Sequence, residues 1–199
     1  YSGWSVSMNA DGDRVAIGAY YNDGNGTNAG HTRVYALSSG SWTQLGSDVN
    51  GEASNDESGY SVSLNSDGDR MAIGAPYNDG TGSNAGHVRI YEYSGGSWSQ
   101  LGSDIDGEAS WDESGCAVSL NNAGDRVAIG AKYNGDGNAG HTRVYAYSDN
   151  AWTQLGSDID GEAGSDNSGY SVSLNDAGDR VAIGAPYNDD NGTNSGHAR

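Results

Sequence analysis

The chain repeats itself, and that repetition limits its fold more than any other feature. The segment Gly-Tyr-Ser-Val-Ser-Leu-Asn beginning at Gly59 returns in variant form at Gly3, Gly115 and Gly169, at steps of 56, 56 and 54 residues. His31, His87, His141 and His197 keep the same rhythm, and the short step is a two-residue deletion between Lys132 and His141. Such a period marks stacked units that bury their apolar faces only against neighbours. The repeat divides the chain into units 1–58, 59–114 and 115–168, with a partial unit at 169–199. Both ends fall inside units, so a parent chain with further copies is expected.

Within one unit the side chains alternate. In residues 60–65, Tyr60, Val62 and Leu64 share one face while Ser61 and Ser63 share the other. In residues 70–75, Met71, Ile73 and Ala75 oppose Ala72 and Gly74. Period-two alternation with β-branched residues predicts half-buried strands. Residues 87–93 and 97–101, the latter with Trp98, predict a third and a fourth strand. Residues 66–69 and 94–96 read as hairpin turns, and residues 78–84 form a longer Asn/Gly loop. No stretch has helical period. Four antiparallel strands per unit is the make-up of a β-propeller blade. Bulky faces opposite Ser/Ala/Gly faces predict sheets that nest, large face on small.

Three elements of the second unit carry a resemblance: 59–63 (Gly-Tyr-Ser-Val-Ser), 72–76 (Ala-Ile-Gly-Ala-Pro) and 86–91 (Gly-His-Val-Arg-Ile-Tyr). Together they resemble the FG-GAP repeat, which builds the seven-bladed propeller of integrin α subunits and of many secreted microbial and algal proteins. The resemblance implies an all-β fold here, about three and a half four-stranded blades of a seven-bladed ring or a longer array. Some positions depart from the family. Ser2, Ser58, Ser114 and Ser168 replace its Phe, and Tyr20 and Lys132 replace its Pro. The family's calcium loop would join the first two strands, but that connection here is only residues 65–69, and Asp67 becomes Ala123 and Ala177 in later copies.

Charge narrows the partners. The formal net charge is −18, from 27 acidic against 9 basic residues. Binding phosphate needs a basic patch, so nucleic acid is set aside as a partner. No run approaches the roughly 18 apolar residues of a membrane helix, so no membrane insertion is expected. In an up-and-down blade, the loop after the second strand and the link to the next blade leave from the same edge. One rim then gathers many acids and amides, a donor set suited to Ca²⁺, with Asp23, Asp79, Asp106, Glu108 and Asp112 as candidate ligands. The competing reading is a solvated rim whose Asp and Asn side chains hold turns.

Other residues divide the same way between function and framework. The four histidines sit one per unit, and a role bonding the acidic loops is preferred over a zinc site. Asp13, Asp69, Asp125 and Asp179, each followed by Arg, read as hairpin ion pairs or turn anchors. Trp42, Trp98 and Trp152 recur in the outer strand, where they could stack on sugar rings or pack the sheet edge. Asn25 and Asn191 head Asn-Gly-Thr sequons and are glycosylation candidates. Cys116 stands where other units have Tyr and reads as a packing substitute.

Repeats with no convergent nucleophile and base suggest a protein that is not an enzyme. The expected function is an extracellular or cell-surface structural and adhesion repeat protein. It would present its acidic loop face to protein or glycan at the cell surface or matrix. It would self-associate through unpaired terminal units, as part of a filament. The alternative is a lectin-like, carbohydrate-binding propeller.

Overall fold

The structure, a computed structural model, describes residues 1–135 and 137–199. Among the described residues there is no helix, and the strands form four antiparallel sheets, one per sequence repeat. They stand side by side as propeller blades, with the first strand of each nearest the next.

Blade 2 shows the plan. Ser61–Leu64 is innermost, followed outward by Arg70–Ala75, His87–Ser94 and Ser97–Gln100. The third strand is twice the length of the fourth. Its free half pairs with a further two-residue strand, Ile105–Asp106, so that His87 faces Asp106 and Val88 faces Ile105. The expected link to the next blade is thus corrected to strand over these two residues. Ile105 is buried against the neighbouring blade and draws the link back onto the sheet. Blades 1 and 3 repeat this five-strand pattern, and the fourth sheet has three strands, ending in His197–Ala198.

The predicted nesting is present. One core joins Ala16, Val34 and Val49 of blade 1 to Val62, Leu64, Met71 and Ile73 of blade 2. A second joins Ala72, Val88, Ile90 and Ile105 of blade 2 to Leu120, Val127 and Ile129 of blade 3. Each bulky side chain so buried contributes roughly 1.5–3 kcal/mol. The small residues of the opposite face do more than make room. Leu64 N donates to Ser7 Oγ (2.9 Å), Leu120 N to Ser63 Oγ (3.0 Å) and Leu174 N to Ser119 Oγ (3.0 Å). The inner strands of blades 2, 3 and 4 are thereby each bonded to a serine of the blade before. Ser5 and Ser61 in turn donate to the carbonyls of Gly59 and Gly115 (both 2.7 Å).

Backbone approaches closely here. A Cβ on Gly74 would overlap the Gly115 carbonyl, and one on Gly130 would overlap that of Gly169. That explains the glycine of the recurrent Ile-Gly-Ala.

The Asp–Arg pairs resolve in favour of turn anchors. Asp13, Asp69, Asp125 and Asp179 each accept from the Asn four residues earlier, at 2.7–2.8 Å. The arginines reach across to the next turn: Arg14 Nη1 to Gly68 O, 3.1 Å, and Arg126 Nη1 to Gly178 O, 3.0 Å. Among the described residues no hairpin Asp–Arg ion pair forms. The Asn takes the Asp carboxylate, and the long Arg stem spans the blade gap instead.

The large face of blade 1 has no sheet against it. Val6 is 64% exposed and Met8 56%, where their counterparts Val62 and Leu64 are 8% and 7%.

Candidate functional site

The loops after the second strands and the links between blades do leave from one edge, and side chains tie them together. Asn78 Nδ2 donates to Asp56 Oδ2 (3.1 Å), Asn134 to Asp112 (2.9 Å) and Asn188 to Asp166 (3.0 Å). Those three aspartates are buried and also accept a backbone N–H of their own link. Asp23 and Asp79 cap their own loops, each accepting at 2.8 Å from the amide five residues on. Three of the five proposed calcium ligands, Asp23, Asp79 and Asp112, therefore have their carboxylates engaged in turns. Asp106 and Glu108 remain exposed on the rim, and partial desolvation, with the nearby Asp104 charge, pushes the Asp106 carboxyl up. Of the sequon asparagines, Asn25 donates its Nδ2, the atom a glycan would take, to Gly51 O at 2.8 Å. Asn191 is exposed.

Outward on this face each blade junction brings a Glu, a His, an Asp and an Arg together. Glu52 of the blade 1 exit faces His87 and Arg89 of blade 2, with Asp104 beside them. Glu108, His141, Arg143 and Asp158 repeat the arrangement one junction on. Glu162, His197 and Arg199 begin a third. Burial, and then the neighbouring Arg, holds the His87 and His141 imidazoles low, His87 at about 4. Blade 1 receives no such Glu. There Arg33 closes on its own Asp48 in a two-pronged pair (2.9 and 2.8 Å), and that hydrogen bonding lowers Asp48 to about 2. Sequence reasoning named the histidines, and Glu108 as a calcium candidate, but neither Glu52 nor Glu162 nor the pairing of these glutamates with the histidines. The signal was the Gly-Glu-Ala recurring at 51–53, 107–109 and 161–163.

Toward the propeller axis the same face is aromatic. Trp4, Tyr20, Tyr60 and Tyr77 form a chain of ring contacts with centroids 4.8–6.3 Å apart. A cleft of about 290 Å³ is lined by Trp4, Tyr60, Cys116, Lys132 and Tyr170. Lys132 Nζ pairs with Glu113 at 2.8 Å and lies 5.7 Å above the Tyr60 ring. Burial opposes the Lys132 charge, but the Glu113 hydrogen bond holds its pKa above the usual value. Glu57 nearby is pushed up to about 7 by burial and by Glu113, so it can take or release a proton near neutrality. Cys116 is buried and its thiol is pushed up to about 11, in keeping with packing. Trp111, 62% exposed, projects from a link at φ 74°, where blade 1 has Asn55 at φ 69°.

The outer tryptophans lie away from this face and serve the junctions. Trp98 Nε1 donates to Leu45 O (2.8 Å) and Trp152 Nε1 to Leu101 O (2.7 Å), each in the preceding blade. Trp42 has no preceding blade and is 44% exposed. Two of the three proposed sugar-stacking rings thus spend their N–H, and part of their surface, on a neighbour.

Comparison with known proteins bears on the fold. The family model of the FG-GAP repeat matches residues 1–35, 49–91 and 158–198. No curated protein sequence matches the chain. A provisionally named 6-phosphogluconolactonase from Bacteroides uniformis matches in structure with a TM-score of 0.62 at 10% identity, over 98% of this chain and 52% of its own. Another, from Bacteroides fragilis, matches with a TM-score of 0.54 at 14% identity, over 78% of this chain and 38% of its own. This chain therefore spans about half the length, or less, of these structures. At such identity the likeness shows the fold alone. It does correct the expectation that a repeat propeller of this kind is not an enzyme: both neighbours in fold carry enzyme names, so the architecture does not set catalysis aside.

Proposed function

Since the chain belongs to the FG-GAP repeat family, we propose that its loop-bearing face is a contact surface for a protein or glycan partner at the cell surface or in the matrix. One observation carries this reading. Trp4, Tyr21, Trp111, Tyr133, Tyr170 and Tyr187 are all 39–62% exposed, and all lie on the edge that carries the acidic loops. Exposed aromatics concentrated on one face are the usual anchors of recognition. The Asn–Asp ties hold that face in shape before a partner arrives, which lowers the ordering cost of binding. The surrounding acids would steer a partner carrying basic or hydroxyl groups. An extracellular setting and glycans at Asn25 or Asn191 belong to the same proposal.

A second reading, carbohydrate binding, draws support from the axial rings rather than the outer tryptophans. Tilted and edge-to-face rings beside Lys132 and Glu57 offer both an apolar wall and polar groups.

The test is binding of the fluorescently labelled chain to intact cells and matrix of the source organism, before and after glycosidase treatment. Trp111→Asn uses the residue blade 1 tolerates at that backbone angle, so the fold is preserved. Together with Tyr170→Ser it should weaken binding at least about tenfold, since such anchors carry 2 kcal/mol or more. Loss after glycosidase selects the glycan reading. Unchanged binding of the double variant rejects the face.

A further inference from the structure

We propose that the junction of blades 2 and 3 binds a divalent first-row transition ion, such as Zn²⁺, through His141 Nδ1 and the carboxylates of Glu108 and Asp158. His141 is 1% exposed, yet neither ring nitrogen has a hydrogen-bond partner. Leaving a buried polar atom unpaired is destabilising, so such an imidazole calls for a ligand. Its Nδ1 faces Asp158 Oδ2 at 3.9 Å and Glu108 Oε2 at 4.0 Å. These separations are too long for hydrogen bonds. Donor atoms about 2.1 Å from one tetrahedral metal lie about 3.4 Å apart, so the two carboxylates would close by about half an ångström to share an ion with the imidazole. All three donor atoms fall within 4.8 Å of one another.

The surroundings agree. Burial and Arg143 keep the imidazole neutral at pH 7, leaving a lone pair to donate. Glu108 and Asp158 are partly exposed, at 45% and 31% of their side chains, which gives an ion a route in from solvent and lets the carboxylates adjust. Arg143 Nη1 lies 3.5 Å from Oε1 of Glu108, the oxygen turned away from the histidine, where it can orient the carboxylate from outside. A mixed nitrogen and oxygen set favours zinc, cobalt or manganese over calcium, which takes oxygen donors. The same triplet recurs one junction earlier, with His87 Nδ1 3.9 Å from Glu52 and 3.8 Å from Asp104. An ion at each junction would clip successive blades together. The site is separate from the loop aspartates, and it holds whether or not the aromatic face binds a partner.

The experiment is calorimetric titration of the chelator-treated chain with ZnCl₂ and with CaCl₂, alongside visible absorption on adding CoCl₂. Saturable zinc binding, cobalt ligand-field bands and weak or absent calcium binding are expected. His141 is too buried to remove safely, so the carboxylates are changed. Glu108→Gln with Asp158→Asn should weaken zinc at this junction by at least about tenfold while the other triplet still binds. In ¹⁵N-histidine spectra, zinc should shift the His141 ring nitrogens in the parent chain and not in the double variant. No saturable zinc or cobalt binding, equal affinity for calcium, or zinc binding and His141 shifts that survive both substitutions would overturn the proposal.

Discussion

Two titrating groups on the loop face, one buried and one half-buried, pull the pH dependence of stability in opposite directions. His87 is held at about 4 by burial, with Arg89 adding to the effect. An unfolded histidine titrates near 6.5. Between those values the unfolded chain binds more protons, so stability drops as pH falls from about 6.5 toward 4, by up to about 3 kcal/mol. Glu57 is raised to about 7 by burial and by Glu113, while an unfolded glutamate titrates near 4.3. There the folded chain binds more protons, and stability drops as pH rises through about 4.3 to 7. For a half-buried group that loss is about 1–2 kcal/mol after solvent screening. Glu57→Gln should therefore raise the urea midpoint at pH 8 and leave it nearly unchanged at pH 5. An equal change at both pH values would mean that Glu57 is not the group responsible.

A blade is stabilised by what it does to its neighbour, and the tryptophans test this within one chain. Trp98→Ala removes a ring packed against Tyr93, as well as the bond to Leu45 O, and should cost about 2–4 kcal/mol in urea denaturation. Trp42→Ala, at the same place in a blade with none before it, should cost under about 1 kcal/mol. Equal losses would contradict the junction role. Strand alternation was legible in the sequence because period two is a local signal, and the small faces followed from Ser61, Ser63, Ala72 and Gly74. Three things were not legible. Ser63 bonds the backbone of Leu120 only after two blades have nested, and alternation says nothing of which blade a serine faces. The short strand Ile105–Asp106 is too brief for any period to show and is fixed by tertiary burial of Ile105. The metal triplet was hidden for a related reason. His141 is close to neither Glu108 nor Asp158 in sequence: the pairing of Ile159–Asp160 with the third strand brings Asp158 to it within the blade, and the stacking of units brings Glu108.

At the scale of the whole molecule, blades 1 and 4 carry unmatched surfaces. Val6 and Met8 show the large face that blades 2 and 3 bury, and Ser171, Ser173, Ala182 and Gly184, of the small face, line an open cleft on blade 4. In solution the 199-residue chain should associate head to tail through these complementary faces. Met8→Asp should return it to a monomer in sedimentation, and a monomeric parent chain would contradict that expectation. The central claim is that the fold stands on blade-to-blade backbone approach, and glycine substitution with thermal denaturation tests it most directly. Gly74, Gly130 and Gly184 occupy the same place in the same Ile-Gly-Ala strand. A Cβ meets the next blade's backbone at the first two but only the hydroxyl of Ser171, in its own blade, at the third. Gly74→Ala and Gly130→Ala should each cost about 3 kcal/mol or more, whereas Gly184→Ala should change the melting temperature little. Equal melting of all three variants would contradict the account.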